Sequence, residues 1–219
     1  MLERSSILTF QVATKNKYNG PEKMATILKE YCPGTNVSVL DCGAGTGIVG
    51  EKLHGLGYKN VDGVDISQKS LDCAEQKGVY RKLVCADMEQ ELPFEEKEFD
   101  VIVCSGGICP GHVTPIKCFQ EWNRVVKQGE IFLYVIDLLF NLTSSSGGYV
   151  IIILRRCYVE LQEGEEAYYS QNLGEEFNSA IRKLQESKTW KVILRQTFPA
   201  YCYVNGTFSD GILLVCEVC

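Results

Sequence analysis

The chain has 219 residues, 45% hydrophobic and 23% charged, a length and balance that suit one globular domain with a substantial core. Its formal net charge of −6 and pI near 5.1 exclude a general basic footprint for nucleic acid. No run is long enough for a transmembrane helix: the most apolar, Tyr149 to Leu154, is too short and is followed by Arg155-Arg156.

The 11 cysteines lie mostly inside apolar runs, where a free thiol behaves as a small hydrophobe. Met1-Leu2-Glu3-Arg4 leads into a mixed segment without the apolar core of a secretory signal, so a reducing, cytoplasmic compartment is expected. In that setting the sequons beginning at Asn36, Asn141 and Asn205 are chance matches, and the lone pair Cys216/Cys219 is a weak basis for a metal or redox site.

In chain order, Asn19-Gly20-Pro21-Glu22 opens a helix that runs to about Tyr31 and stops at Cys32-Pro33-Gly34. Val37 to Cys42 reads as a strand buried on both faces, Thr46 to Leu56 as a helix with Ile48, Val49, Leu53 and Leu56 on its apolar stripe. Val61 to Ile66 is predicted as strand, Ser67 to Gln76 as helix, Lys82 to Ala86 as strand and Phe99 to Cys104 as a fourth, buried strand. Thr114-Pro115 opens a helix with Ile116, Phe119, Trp122, Val125 and Val126 turned inward, and Glu130 to Ile136 is expected as the fifth strand. Leu138 to Leu154 fits poorly: 142–148 has linker composition, and the apolar run after it needs burial.

A helix from Gly174 to Ser187 and β-rich runs at Thr189 to Phe198 and Gly211 to Val218 complete the chain, with Asn205-Gly206 as a possible turn between the last two. This alternation predicts a single α/β domain over residues 1–219: a doubly wound, Rossmann-like sheet, mostly parallel, with one late antiparallel strand.

The most informative stretch is Val39-Leu40-Asp41-Cys42-Gly43-Ala44-Gly45-Thr46-Gly47. A strand running into glycines at the edge of a parallel sheet is the usual ligand crevice, because glycine lets backbone approach a ligand and take positive φ. The dinucleotide fingerprint G-x-G-x-x-G fails here, since its third glycine would fall on Ile48. Asp41 also places a carboxylate where a pyrophosphate would be repelled and a cation attracted.

With Gly63-Val64-Asp65-Ile66-Ser67, Cys85-Ala86-Asp87-Met88 and Phe99-Asp100-Val101-Ile102-Val103 following in order, the sequence resembles the class I S-adenosylmethionine-dependent methyltransferases over roughly residues 21–136. Tyr18 to Lys23 and Thr197-Phe198-Pro199-Ala200-Tyr201 add a narrower similarity to small methyltransferase-like proteins related to the one from the Williams–Beuren syndrome region. The resemblance implies S-adenosylmethionine as cofactor, and it implies roles for individual residues. Asp41 and the backbone of Gly43, Ala44, Gly45 and Gly47 would face the methionine part, Asp41 near its ammonium through water. Asp65 would accept the ribose hydroxyls and Ile66 would pack on the adenine. Asp87 would take the adenine amino group, with Met88 on the other face. Ser105 and Gly106 would border the sulfonium and the methyl acceptor.

Each role has a rival. Asp41 could cap a helix, Asp65 could be an exposed strand-end carboxylate, Asp87 and Met88 could belong to a capping turn, and Ile66 could be core packing. His112 is a weak candidate general base or an ordinary loop histidine, His54 reads as surface, and no metal ligands are expected. Tyr201 and Tyr203 could line an acceptor pocket, but their alternation reads more simply as core or edge packing.

The fourth strand ends Cys104-Ser105-Gly106-Gly107-Ile108-Cys109-Pro110, without the N/D-P-P-Y/F motif of base-amine methylators, and Cys109-Pro110 reverses the proline-cysteine pair of RNA cytosine-C5 enzymes. The expected reading is therefore a methyltransferase acting on a small molecule or a protein. The alternative is a catalytically silent cofactor-binding or interaction protein on the same fold. Residues 1–17 lack the aromatic-rich helix that covers the cofactor in relatives, and 138–154 replaces the usual continuation of the fifth strand. Both departures predict weak cofactor binding or an incomplete lid.

Overall fold

The computed structural model describes residues 18–109, 113–128, 149–155, 171–204 and 207–219. Helix α1 (Gly20–Tyr31) takes Pro21 in its first turn, as its start signal predicts. It is followed by β1 (Val39–Cys42), α2 (Ile48–Gly55), β2 (Val61–Asp65), α3 (Gln68–Glu75), β3 (Lys82–Cys85), β4 (Val101–Ser105) and α4 (Pro115–Val125). The chain continues with β5 (Tyr149–Arg155), α5 (Gln171–Glu186), β6 (Trp190–Val204) and β7 (Thr207–Val218).

The strands form one seven-stranded sheet in the order β3-β2-β1-β4-β5-β7-β6. Pairs β2/β3, β1/β2, β1/β4 and β4/β5 are parallel, whereas β7 runs antiparallel to both β5 and β6. This is the doubly wound sheet with one late antiparallel strand expected from the sequence. Its strand order reverses between β1 and β4, which opens a crevice above their C-terminal ends.

Successive residues sort to opposite faces with period two. Leu40, Cys42, Ile102, Cys104, Val150 and Ile152 pack with Phe119 and Trp122 of α4 and Phe177 of α5. Val39, Val101, Val103 and Ile151 pack on the other face with Met24 and Leu28 of α1 and Leu53 of α2. Burial on both faces is why these strands are almost continuously apolar.

The place beside β4 is held by Tyr149–Arg155, in register Val101↔Tyr149 through Ser105↔Ile153. The apolar end of the poorly fitting stretch is thus a central strand; Glu130 to Ile136, expected to be that strand, lies outside the described residues, as do 1–17 and 138–148. Helix α2 begins two residues after the expected start at Thr46, because Gly47 holds a left-handed φ of 83° at its N-cap. Strands β6 and β7 extend beyond the predicted runs and pair almost to their junction, Val204↔Thr207, while Asn205 and Gly206 lie outside the described residues. Tyr201 and Tyr203 fall on the edge strand β6. Among the described residues no helix is long and apolar enough to cross a membrane.

Candidate functional site

The turn after β1 is built from three left-handed glycines, Gly43 (φ 78°), Gly45 (φ 54°) and Gly47 (φ 83°). A side chain at these positions would be strained. Both Gly43 N–H and Ala44 N–H donate to the Val64 carbonyl, at 2.9 and 3.0 Å, tying the turn to β2. The turn after β4 approaches closely: a Cβ on Gly43 would come within 3.1 Å of Gly107 Cα, and one on Gly107 within 3.2 Å of the Cys42 carbonyl oxygen. The floor of the crevice is therefore bare backbone from two adjoining turns.

Asp65 ends β2 with both carboxylate oxygens engaged. Gly45 N–H donates to Oδ2 and Ser67 N–H to Oδ1, each at 2.9 Å. Each oxygen keeps a further lone pair, and the residue is only partly buried. Asp65 is thus a fixed acceptor facing the glycine turn rather than a loose strand-end carboxylate. The next residue, Ile66, is 63% exposed, which removes core packing as its role.

Asp41 is fully buried. Its Oδ2 accepts the Tyr80 hydroxyl at 2.7 Å, while Oδ1 is buried with no partner. Burial pushes this carboxyl up to about 7; the Tyr80 hydrogen bond pulls it down and the neighbouring Asp65 charge pushes it further up. A helix-capping acid would spend its oxygens on backbone N–H groups, and α2 has no side-chain cap at Gly47.

The remaining expected residues divide. Asp87 Oδ1 accepts Glu89 N–H at 2.9 Å, so it does organise its own turn, as the capping reading had it. Met88 is partly buried against the core below α4. Ser105 ends β4, with its Oγ 2.7 Å from the Tyr18 hydroxyl, and Gly106 turns the chain there at φ 78°. His112 lies outside the described residues. His54 is occupied on α2 by Lys59, whose Nζ stands 2.7 Å from Nε2. Among the described residues no group of three or more His, Cys, Asp or Glu is placed to hold a metal ion. Cys216 is buried, its thiol pushed up to about 12 by burial, an inert setting for a redox pair.

Two residues join the site to which the sequence assigned no role there. Tyr18 reaches Ser105 from ahead of α1, and its neighbour Asn19 keeps a buried Oδ1 without a partner. Tyr80 lies before β3 and touches Asp41. A signal for Tyr80 was present in the glycines inside α2 and β2, since an isolated glycine within a helix or strand marks a close approach. A Cβ on Gly50 would fall 2.3 Å from Tyr80 Cζ, and one on Gly63 within 3.1 Å of Tyr80 Cε1.

Known proteins are similar to this chain in sequence and fold. A family model described as "Methyltransferase domain" matches residues 40–134, the span from β1 through the site. Human methyltransferase-like protein 27 is 33% identical over 115 residues, which are 51% of this chain and 46% of that protein, so the chain spans about half the length of this relative. Among solved structures, a SAM-dependent methyltransferase from Aquifex aeolicus is similar with TM-score 0.55 and 19% identity, over 89% of this chain and 88% of that one. The [4+2]-cyclase SpnF is similar with TM-score 0.61 and 14% identity, over 90% and 81%. The structures speak for the fold, and the cyclase warns that the fold alone does not name a reaction.

S-adenosylmethionine, the cofactor named for the similar Aquifex aeolicus methyltransferase, fits the residues present. An ammonium group suits the orphaned Asp41 oxygen, ribose hydroxyls suit Asp65, and an adenine face suits exposed Ile66. Residues 40–134 thus match a methyltransferase domain, and the sheet has the fold of S-adenosylmethionine-dependent methyltransferases.

Proposed function

We propose that the chain binds S-adenosylmethionine above β1, β2 and β4 and transfers its methyl group to a small molecule or a protein. The observation that carries this reading is the buried, half-satisfied carboxylate of Asp41 beside a bare glycine turn. A buried charge without a partner is costly, and a ligand cation is the partner it lacks. Asp65, already fixed by Gly45 and Ser67, would receive the ribose hydroxyls without first having to be ordered. Ile66 and Met88 would enclose the adenine, with Asp87 at its amino group. The glycine backbone from Gly43 to Gly47 would admit the methionine part.

When bound, the cofactor supplies a methyl group on a sulfonium that is already a good leaving group. The protein's contribution is therefore alignment. Ser105 and Gly106 would border the transfer path, with Tyr18 holding the Ser105 hydroxyl from above. The acidic charge of the chain favours a small molecule or protein over nucleic acid as acceptor. The free, buried cysteines Cys42, Cys104 and Cys118 suit a reducing, cytoplasmic setting.

Calorimetric titration with S-adenosylmethionine tests the binding, and Asp65→Ala tests the site. A charge-assisted hydrogen bond is worth about 1.5–3 kcal/mol, so the variant should bind roughly tenfold or more weakly. Its melting temperature should also fall by a few degrees, because Gly45 and Ser67 lose an acceptor. Unchanged affinity would remove Asp65 from the site. A low-micromolar dissociation constant for the unaltered chain would dismiss the expectation of an incomplete lid. Incubation with labelled cofactor and cell extract then tests transfer, and binding without any labelled product would leave a silent cofactor-binding protein.

A further inference from the structure

The Tyr80 side chain is enclosed by glycines. A Cβ on Gly47 would come within 3.1 Å of Tyr80 Cε2, one on Gly50 within 2.5 Å of its hydroxyl oxygen, and one on Gly63 within 3.1 Å of Cε1. The turn, α2 and β2 each leave out a side chain where the ring passes.

The hydroxyl at the end of that ring makes two bonds. It accepts Gly50 N–H at 3.1 Å and donates to Asp41 Oδ2 at 2.7 Å. Gly50 is the third residue of α2, so its N–H is one of the donors a helix leaves without an internal partner. No side chain at Gly47 caps it; a phenol from 30 positions away does. The same oxygen therefore ties the α2 N-terminus to the buried carboxylate on β1.

We propose that Tyr80 is a positioning residue of the cofactor site, occupying Asp41 Oδ2 so that Oδ1 alone is presented, ionised, to a cationic group of the ligand. The inference rests on the cofactor reading above. It adds to that reading a residue outside the glycine turn that sets both the orientation and the charge of Asp41.

The charged and titratable neighbours agree with this role. Asp65 at the end of β2, the Cys42 thiol on β1 and the Cys104 thiol on β4 surround Asp41, and Glu51 on α2 adds negative charge near Tyr80. None of these neighbours is a cation, so the Tyr80 hydroxyl is the group among them that favours the ionised carboxylate. Burial and the Asp41 charge hold the phenol well above its ordinary range, so it stays a donor across physiological pH.

The test is Tyr80→Phe in the full chain, read by S-adenosylmethionine calorimetry from pH 5.5 to 9 and by the 13C carboxyl titration of Asp41 in the cofactor-free protein. Losing a hydrogen bond to a charged group should weaken binding about tenfold at pH 7 and move the Asp41 midpoint upward by up to about one pH unit. Gly50→Ala provides a second route that keeps both side chains: its Cβ should displace the phenol and give the same shift.

A merely structural Tyr80 would lower stability and leave the Asp41 midpoint in place, and that outcome overturns the proposal. Asp65→Ala serves as the reference. Binding lost there, with the Asp41 midpoint unmoved in Tyr80→Phe, rejects Tyr80 and keeps the cofactor reading. An unaltered chain that binds no cofactor at any pH rejects the cofactor reading, while the carboxyl titration still decides whether Tyr80 sets the charge of Asp41.

Discussion

The two ends of the parallel sheet treat their carboxylates in opposite ways. In the lower half, Asp62 of β2 is fully buried and receives a two-pronged bond from Arg81, Nε to Oδ1 at 2.9 Å and a terminal guanidinium nitrogen to Oδ2 at 2.6 Å. Asp100, just ahead of β4, takes Ser38 N–H and Ser38 Oγ at 2.8 Å each and Lys127 Nζ at 2.6 Å. At the upper end Asp41, one strand over from Asp62 and equally buried, has a single neutral donor and an orphaned oxygen. Saturated carboxylates hold a fold together, whereas an unsaturated one is a cost that folding alone does not explain. The contrast marks Asp41 as the acid we propose for the ligand, without reference to any bound molecule.

The contrast breaks most visibly at Asp41. Its folded carboxyl sits at about 7 against an ordinary 3.8, so the folded cofactor-free protein binds that proton more tightly than the unfolded chain. The resulting destabilisation is absent below about pH 3.8, grows as pH rises and is complete above about pH 7. Asp41→Asn should therefore stabilise the cofactor-free protein at pH 8 by about 2–4 kcal/mol while weakening cofactor binding more than tenfold. In the unaltered chain affinity should drop by up to about tenfold per pH unit below 7, and the variant should show no such dependence. Thermal melts and calorimetry at pH 6 and 8 check both. A variant that is less stable at pH 8 would show Asp41 to be a structural acid like Asp62.

Arg81→Ala sharpens the other half. It leaves the Asp62 carboxylate buried without its cation, a change worth 3–5 kcal/mol for a fully buried pair. Half the Arg81 side chain is exposed, at 50%, so water takes over part of its work, and about 2 kcal/mol is expected. Denaturant unfolding should show that loss, with cofactor affinity unchanged within about twofold after correction for the unfolded fraction. A large change in affinity would mean that the two ends of the sheet are coupled.

The sequence exposes some of this contrast and conceals the rest. Asp41 and Asp65 are legible because both sit where an apolar strand meets the crevice, and strand periodicity places that edge within a residue or two. The parallel sheet is legible because strands alternate with helices, and burial on both faces makes β4 a continuous apolar run. Strand β5 is not: its run, Tyr149 to Leu154, follows a segment of linker composition, and Glu130 to Ile136 offers an equally apolar candidate, so local pattern cannot choose between them. Tyr80 and Tyr18 stay hidden for another reason. Each reaches its partner, Asp41 or Ser105, across 39 or 87 positions, a contact that the pattern of neighbouring residues does not predict. The trace is in glycines whose missing side chains make the room, Gly50 and Gly63 for Tyr80 and Gly20 for Tyr18.

The smallest effect belongs to Asp100. Burial raises its carboxyl, but the bonds from Lys127 and from Ser38 outweigh burial and hold it below the ordinary 3.8. A lowered carboxyl contributes stability that is present above about pH 4 and is lost as pH falls through the folded value, the reverse of Asp41. Lys127→Ala should remove part of it. The pair is 43% and 32% exposed, so about 0.5–1 kcal/mol is expected at neutral pH, shrinking in high salt. The two Ser38 bonds remain and keep Asp100 ionised. Melts of this variant at 0.05 and 1 M salt isolate the Coulombic share. A loss that persists in 1 M salt would place the Lys127 contribution in packing of its stem over Asp100 rather than in charge.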